Sequence, residues 1–232
     1  MRHFSIELEE LNQKLLQMGG LVESAIHRSV RALLEQDREL AEEVIRDEPK
    51  INRMEMEIDG LVTRLLALRQ PVAQDLRRTV AAMKIASNLE RIGDLAKNIA
   101  KRGVVLAEAE PITPLTRSIE RMGRLVSGRL RDVLDAYTAS EVQRAVAVWS
   151  RDDEVDEHYN SLFRELLTYM MGDPRTITAC AHLLFIAKNL ERIGDHATNI
   201  AEIIHYEITG EDMPAERPKG DALRKTAEGA GA

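Results

Sequence analysis

Apolar side chains recur at helical spacing along almost the whole of this chain. They stand mostly three or four residues apart, which places them on one face of an α-helix. The first such stripe consists of Ile6, Leu11, Leu15, Met18, Val22, Ile26, Val30 and Leu33. Polar and Pro- or Gly-containing breaks divide the pattern, and we predict long helices over residues 5–35, 38–68, 72–105, 113–137, 140–171 and 175–209.

Two prolines bear on the ends of these helices. Pro49 falls inside the second segment, and proline lacks the amide proton that a helix interior uses. The pattern there is compatible with a kink or with a helix that restarts. Asp173-Pro174 instead indicates a helix start, because Asp caps free amides and Pro fits the first turn.

Long helices joined by short connections pack as antiparallel neighbours. The Pro-rich stretch at 110–114 divides the six segments into two sets of three. We therefore predict an all-α fold of two tandem three-helix bundles, with domains at 1–107 and 108–210. Residues 211–232 are rich in Gly, Pro, Ala and charge without apolar periodicity, which predicts a disordered tail.

An internal repeat indicates that the two halves are similar. Residues 85–100 read IASNLERIGDLAKNIA, and residues 186–201 read IAKNLERIGDHATNIA. The copies differ only at Ser87/Lys188, Leu95/His196 and Lys97/Thr198. Upstream, DEPKIN at 47–52 corresponds to RDDEVD at 151–156. The second and third helices thus recur as the fifth and sixth, as in a duplicated unit.

Composition narrows the class of protein. Apolar residues make up 44% of the chain and aromatic residues only 3%, so the core must be built mainly from aliphatic side chains. The net charge is −7, with Lys and Arg spread among acids. Nucleic-acid binders usually carry a basic surplus or patch, so we expect no nucleic-acid partner.

Cysteine use and hydropathy predict a cytoplasmic protein. The single cysteine, Cys180, cannot form an internal disulfide and stands in an apolar context, which indicates a buried thiol in a reducing compartment. No apolar run approaches the roughly 18 residues that span a bilayer. The N-terminal stretch MRHFSIELEELNQ lacks the apolar run of a signal peptide.

A pair of carboxylates recurs in the repeated helix, opposite its apolar stripe. Glu90 and Asp94 stand at i and i+4, and Glu191 and Asp195 repeat them in the second copy. Like charges at this spacing repel each other by a few tenths of a kcal/mol. A cation that bridges the two carboxylates would turn this repulsion into attraction, so the duplicated pair favours metal binding.

The preceding helix of each half carries a second set of oxygen-bearing side chains. These are Glu48 and Asn52 in the first half, and Asp152 and Asp156 in the second. If the two helices of a half are antiparallel neighbours, the sets meet across their interface. Such a site suits iron, manganese, magnesium or zinc ions. The alternative is that these acids are simply solvated, and the duplication raises the metal hypothesis to equal standing with it.

Four further side chains border the predicted ligands, and we expect them to surround a metal without binding it directly. They are Asn98, Asn199, Arg91 and Arg192. The arginines are expected to pair with acids on the next helix, with anion binding as the alternative. Gly93 and Gly194 lie inside helices, where Gly costs about 1 kcal/mol relative to Ala, and we expect them to permit close helix approach.

The sequence offers no catalytic set that we can assign, so we predict that the protein is not an enzyme. A ferritin-like di-iron site would use Glu-x-x-His motifs on facing helices, and the histidines do not supply that pattern twice. No Gly-rich phosphate loop and no Ser/His/Asp arrangement can be placed.

The duplicated NLERIGD motif closely resembles the PhoU family of bacterial phosphate-transport regulators. Its copies follow RQPVAQDLR at 69–77 and RELLTYMMGDPRTI at 164–177, and the resemblance covers roughly residues 3–210. It implies two tandem three-helix bundles and multinuclear metal clusters held by paired Glu/Asp-x-x-x-Asp motifs on the bundle surface. These motifs map onto Glu48-x-x-x-Asn52 with Glu90-x-x-x-Asp94, and onto Asp152-x-x-x-Asp156 with Glu191-x-x-x-Asp195.

The first half departs from this motif at one position. It has Asn52 where the second half has Asp156. A neutral amide is a weaker ligand than a carboxylate, so we expect the first site to bind metal less tightly or to hold fewer ions.

The function that the resemblance implies is regulation. PhoU-like proteins act with the phosphate ABC importer and its sensor histidine kinase, and they keep uptake and the starvation response low when phosphate is plentiful. We expect a homodimeric adaptor that contacts the ATPase subunit and the kinase and reaches the membrane only through them. The alternatives are a carboxylate-bridged metalloenzyme, a metal-independent helical scaffold, and a paralogue tied to another phosphate carrier.

Overall fold

The computed structural model describes residues 2–109, 113–151 and 153–214, and within these ranges all regular structure is helical. The first bundle consists of α1 (Arg2–Glu35), α2 (Arg38–Arg69) and α3 (Ala73–Leu106). The second consists of α4 (Thr113–Ala139), α5 (Val142–Trp149), α6 (Asp153–Gly172) and α7 (Ile177–Thr209). The predicted fold class, two tandem three-helix bundles, is confirmed, with α5 and α6 together in the place of one helix.

The helix predicted over 140–171 is wrong in one respect, because it is interrupted after Trp149. The amides of Ser150 and Arg151 bond back to Val146 and Val148, and the Ser150 hydroxyl donates to the Ala147 carbonyl. Short polar side chains compete in this way with the helical ladder. Apolar periodicity continues across the break, so the pattern alone did not show it.

The other helix ends lie close to their predicted positions. α2 runs from Arg38 to Arg69 without a break at Pro49. Asp173 caps a short 3₁₀ turn, Pro174–Thr176, by accepting a hydrogen bond from the Arg175 amide, and α7 follows directly. Of the predicted tail, residues 215–232 lie outside the described part of the chain. No helix in the described ranges is long and apolar enough to cross a membrane.

The two bundles share one apolar core. The α1 stripe is fully buried over much of its length, at Leu11, Leu15, Met18, Val22 and Ile26. Burying such a side chain contributes roughly 1.5–3 kcal/mol. The same cluster continues through α3, α4 and α7, so the halves form a single packed body.

Helices α3 and α7 form the main contact between the bundles. Asn88 lies opposite His196 and Arg102 lies opposite His182, so the two helices run antiparallel. Residues near Arg91 thus face their own repeat equivalents near Arg192. The duplicated helices are therefore related by an approximate twofold axis at this level, and the two copies of the acidic motif lie at the same height along the pair.

Candidate metal centres

Helices α2 and α3 bring together a first acidic cluster. Glu48 of α2 and Glu90 and Asp94 of α3 each place a carboxylate oxygen within 4.8 Å of the others. Glu48 lies deepest, with 6% of its surface exposed. We call these three residues with Asn52 the first centre.

Gly93 explains how α2 approaches α3 so closely at the first centre. A Cβ atom added there would lie 2.9 Å from Ile51 Cδ1, which is closer than side chains normally pack. The corresponding position beside Gly194 is looser, at 3.4 Å from Val155 Cγ2. The close packing expected of a mid-helix glycine is therefore present in the first half and weaker in the second.

Asn52 carries a feature that fits a metal ligand. Its Oδ1 atom is buried and accepts no hydrogen bond within the described part of the chain. A buried acceptor without a partner costs about 1–3 kcal/mol. An amide oxygen is also a ligand that hard cations accept, so the residues of the first centre fit such an ion.

A lysine that the sequence did not single out as functional lies inside the first centre. Lys97 Nζ donates a hydrogen bond to Asp94 Oδ1 at 2.7 Å and lies 3.1 Å from Glu48 Oε1. Burial raises the pKa of Asp94, but the hydrogen bonds to Lys97 and Glu48 outweigh it and leave that pKa below its ordinary value. The signal available in the sequence was that Lys97 differs from its repeat equivalent, Thr198.

Glu55 is a second missed residue at the first centre. Burial, followed by repulsion from Asp59, raises the pKa of Glu55. The pKa of Glu90 is raised by burial, then by Asp94, and then by Glu55 itself. Glu55 follows Glu48 by seven residues, a spacing that returns to the same helix face. That spacing was the signal that could have identified it.

Helices α6 and α7 form a corresponding cluster in the second half. Asp156 of α6 and Glu191 and Asp195 of α7 place carboxylate oxygens within 4.8 Å of one another, and we call them the second centre. Burial, followed by repulsion from Glu191, raises the pKa of both Asp156 and Asp195. Glu191 Oε2 is buried and has no hydrogen-bond partner among the described residues, which again fits a cation.

The remaining predicted residues lie around these centres or outside the described ranges. Asp152 lies outside the described ranges. Arg91 is 65% exposed, and its Nε lies 3.6 Å from Glu90 Oε2 on its own helix. Arg192 and Asn98 are exposed. Asn199 lines a groove between α3 and α7 with Lys84.

A histidine lies in the contact between α3 and α7, about one helical turn from the approximate twofold axis. His196 Nδ1 is 2.9 Å from Asn88 Oδ1. An amide oxygen accepts hydrogen bonds, so the ring donates through Nδ1–H. Burial lowers the pKa of His196, and the cations Arg192 and Arg91 lower it further. The lowered pKa favours the neutral ring, and the hydrogen bond from this ring to Asn88 joins the two bundles.

The geometry suits cation binding. Each centre gathers carboxylates from two helices, and each contains a buried oxygen that lacks a hydrogen-bond donor. Oxygen ligands of this kind prefer hard cations such as magnesium, manganese or iron. A bound ion would hold α2 against α3 in the first half and α6 against α7 in the second.

Comparison with known proteins identifies related sequences along nearly the whole chain. Residues 15–103 and 119–204 each match the PhoU domain family. A phosphate-specific transport system accessory protein PhoU homolog from Caulobacter vibrioides is 59% identical over 223 residues, covering 96% of this chain and 97% of the relative. The phosphate-specific transport system accessory protein PhoU of Escherichia coli is 39% identical over 226 residues, covering 97% and 92%.

Two solved structures share the fold. The crystal structure of PhoU from Pseudomonas aeruginosa superposes with a TM-score of 0.87 at 40% identity, covering 90% of this chain and 100% of that one. The phosphate transport system regulatory protein PhoU from Streptococcus pneumoniae gives a TM-score of 0.84 at 33% identity, covering 91% and 99%.

Proposed function

The chain belongs to the PhoU family, and on this basis we propose that it is a regulator of phosphate transport. The observation that carries the proposal is 59% identity, over nearly the full length of both chains, to a phosphate-specific transport system accessory protein. A second relative with the same role in its name covers 97% of the chain.

In its finer form the proposal is a cytoplasmic adaptor that represses phosphate uptake and the starvation response. One surface contacts the ATPase subunit of the phosphate importer, and another contacts the phosphate-sensing histidine kinase. The duplication supports this arrangement, because two related bundles offer two related but different surfaces.

We further propose that the acidic centres hold metal ions in the working protein. The support is the convergence of three carboxylates in each half and the buried acceptors at Asn52 and Glu191. The role of the metal is to fix α2 on α3 and α6 on α7, and thereby to set the shape of the surfaces that partners meet. No chemical step is assigned to it.

The regulatory proposal is tested in a deletion strain grown with ample phosphate, with secreted alkaline phosphatase as the starvation reporter. We expect high reporter activity in the deletion strain and low activity when the intact gene is restored. Low activity in the deletion strain would refute repression of the starvation response and would favour a paralogue tied to another carrier.

The adaptor proposal needs its own test. The tagged chain is mixed with the purified ATPase subunit and with the cytoplasmic part of the kinase, and co-elution is measured. Recovery of both partners supports the adaptor, and recovery of neither refutes it, even if the reporter strain shows repression.

A further inference from the structure

The two copies of the repeated segment, residues 85–100 and 186–201, differ at three positions, and two of these place a lysine at an acidic centre. Lys97 lies in the first centre, where the second copy has Thr198, and Lys188 lies in the second centre, where the first copy has Ser87. Each centre therefore contains one lysine, but the lysines approach from opposite ends of the motif and make different contacts.

Lys97 joins the two helices of its half. Its ammonium lies 2.7 Å from Asp94 of α3 and 3.1 Å from Glu48 of α2, and its side chain is only 21% exposed. Glu48 is itself the most buried acid of the centre. Lys97 therefore occupies the position between helices that a bridging cation would take, and it supplies one positive charge there.

Lys188 makes no equivalent bridge among the described contacts. It binds Glu191 at 2.6 Å, three residues along its own helix, and its side chain is 49% exposed. Its ammonium also lies 5.4 Å from the Tyr159 ring, at the edge of the cluster. Asp156 of α6 and Asp195 of α7 remain grouped with Glu191, and Glu191 Oε2 remains without a donor.

We propose that Lys97 is a built-in cation that competes with metal for the first centre, so that the first centre binds a divalent cation weakly and the second binds it tightly. This inference rests on the metal-binding part of the proposed function. Three carboxylates face one ammonium in the first centre, and a metal must displace that ammonium from Glu48 and Asp94 before it can bind. Asn52 in place of a carboxylate weakens the first centre in the same direction.

The test counts Mn²⁺ ions bound to the full, metal-stripped chain by electron paramagnetic resonance of the free ion. Four proteins are compared: the unaltered chain, Asp195→Asn, Lys97→Met, and the variant carrying both changes. We expect one tight class of sites in the unaltered chain and its loss in Asp195→Asn. Lys97→Met should gain a second class at least about tenfold tighter than the weak binding of the unaltered chain. The combined variant should keep that new class alone.

Two variants separate charge from the other effects of the change. Lys97→Arg keeps the positive charge and should leave the first centre a weak site. Lys101→Met removes an exposed lysine one turn along α3 and should leave Mn²⁺ binding unchanged. If Lys97→Met fails to fold, as judged by its circular dichroism, Lys97→Gln supplies the second test, because it removes the charge but keeps a polar side chain and should gain the same class of tighter sites.

Two results of the Mn²⁺ titration would overturn the inference. Equal affinity of the two centres in the unaltered chain, with no change in Lys97→Met, would overturn the inference. Absence of Mn²⁺ binding in all four proteins would overturn it together with the metal part of the proposed function. The regulatory part of the proposed function is tested separately, in the reporter strain.

Discussion

Glu90 shows how repulsion between carboxylates in an acidic centre affects a single residue. Glu90 and Asp94 lie one turn apart on α3, and burial together with Asp94 raises the pKa of Glu90 above 4.5. A carboxyl group with a raised pKa in the folded state favours folding when it is protonated. Its contribution is lost as the pH rises through the interval between 4.5 and that raised pKa.

We therefore expect Glu90→Gln to stabilise the metal-free protein at pH 7. The gain should be about 0.3 kcal/mol, the size of one like-charge pair on a helix, or about 1 °C in melting temperature for a chain of this length. The gain should shrink at pH 4, because the raised pKa of Glu90 favours its protonated form there. Thermal melts in chelator at both pH values measure it.

A control on α1 supports this comparison. Glu10 is exposed, and Glu10→Gln should leave the melting temperature nearly unchanged. Mn²⁺ at concentrations high enough to fill the first centre should reverse the order, because glutamine is the weaker ligand. Destabilisation by Glu90→Gln at pH 7 without metal would show that Glu90 makes a favourable contact rather than a repulsive one.

At the level of helices, the two mid-helix glycines provide a matched comparison. A Cβ atom at position 194 meets Val155 at an ordinary contact distance of 3.4 Å, whereas one at position 93 meets Ile51 at 2.9 Å. Alanine favours a helix interior over glycine by about 1 kcal/mol. Alanine at position 194 can therefore give the full gain in stability, whereas alanine at position 93 requires Ile51 to move.

We expect Gly194→Ala to raise the free energy of unfolding by about 0.5–1 kcal/mol. Gly93→Ala should raise it less or lower it. Urea denaturation of the two variants and the unaltered chain measures the difference. A larger gain for Gly93→Ala would contradict the closer approach of α2 to α3.

The helices and the site were not equally predictable from sequence. Periodic apolar residues predicted the helices because burial of one face dominates helix stability in a bundle. The break at Ser150 depends on local hydrogen bonds, which do not disturb the apolar pattern. The acidic residues were predicted from the repeat, but Lys97 was not, because its role depends on the distance between α2 and α3 that packing sets.

For the whole molecule, the contact between α3 and α7 should respond to pH. Burial, together with Arg192 and Arg91, lowers the pKa of His196 below 6.5. A histidine with a lowered folded pKa destabilises the fold as the pH drops from 6.5 towards that lower value, because the unfolded chain binds the proton more readily. His182 acts in the same direction, because burial and Arg102 lower its pKa.

We expect His196→Leu, which introduces the residue of the first repeat, to reduce the loss of stability between pH 7 and pH 5.5. Denaturant titrations at the two pH values provide the measurement. His27 is exposed on α1, and His27→Gln should leave the pH dependence as it is. If His196→Leu shows the same loss as the unaltered chain, His196 is not the group that senses pH.

The approximate twofold relation also predicts how one half behaves alone. Leu95 lies seven residues beyond Asn88 on the same face of α3 and is almost fully buried. Residues 1–107 expressed alone would expose this face, and a second copy can cover it in the antiparallel manner of α7. We expect a dimer by light scattering, and Leu95→Glu should convert it to a monomer. A monomeric fragment with Leu95 intact would contradict this.

Because of the break between α5 and α6, the second centre lies at a helix end, whereas the first lies inside a helix. The two centres should therefore differ in how readily their helices unfold locally. In the first centre, Glu48 and Asn52 lie well inside a 32-residue helix that continues through Pro49, so the amide protons beside that proline can bond to carbonyls one turn back. In the second, Asp156 lies in the first turn of α6, and first-turn amides have no acceptor within their own helix. Amide hydrogen exchange at 153–156 should therefore be faster than at 48–52, and an ion at the second centre can leave by fraying of a helix end while the bundle stays folded.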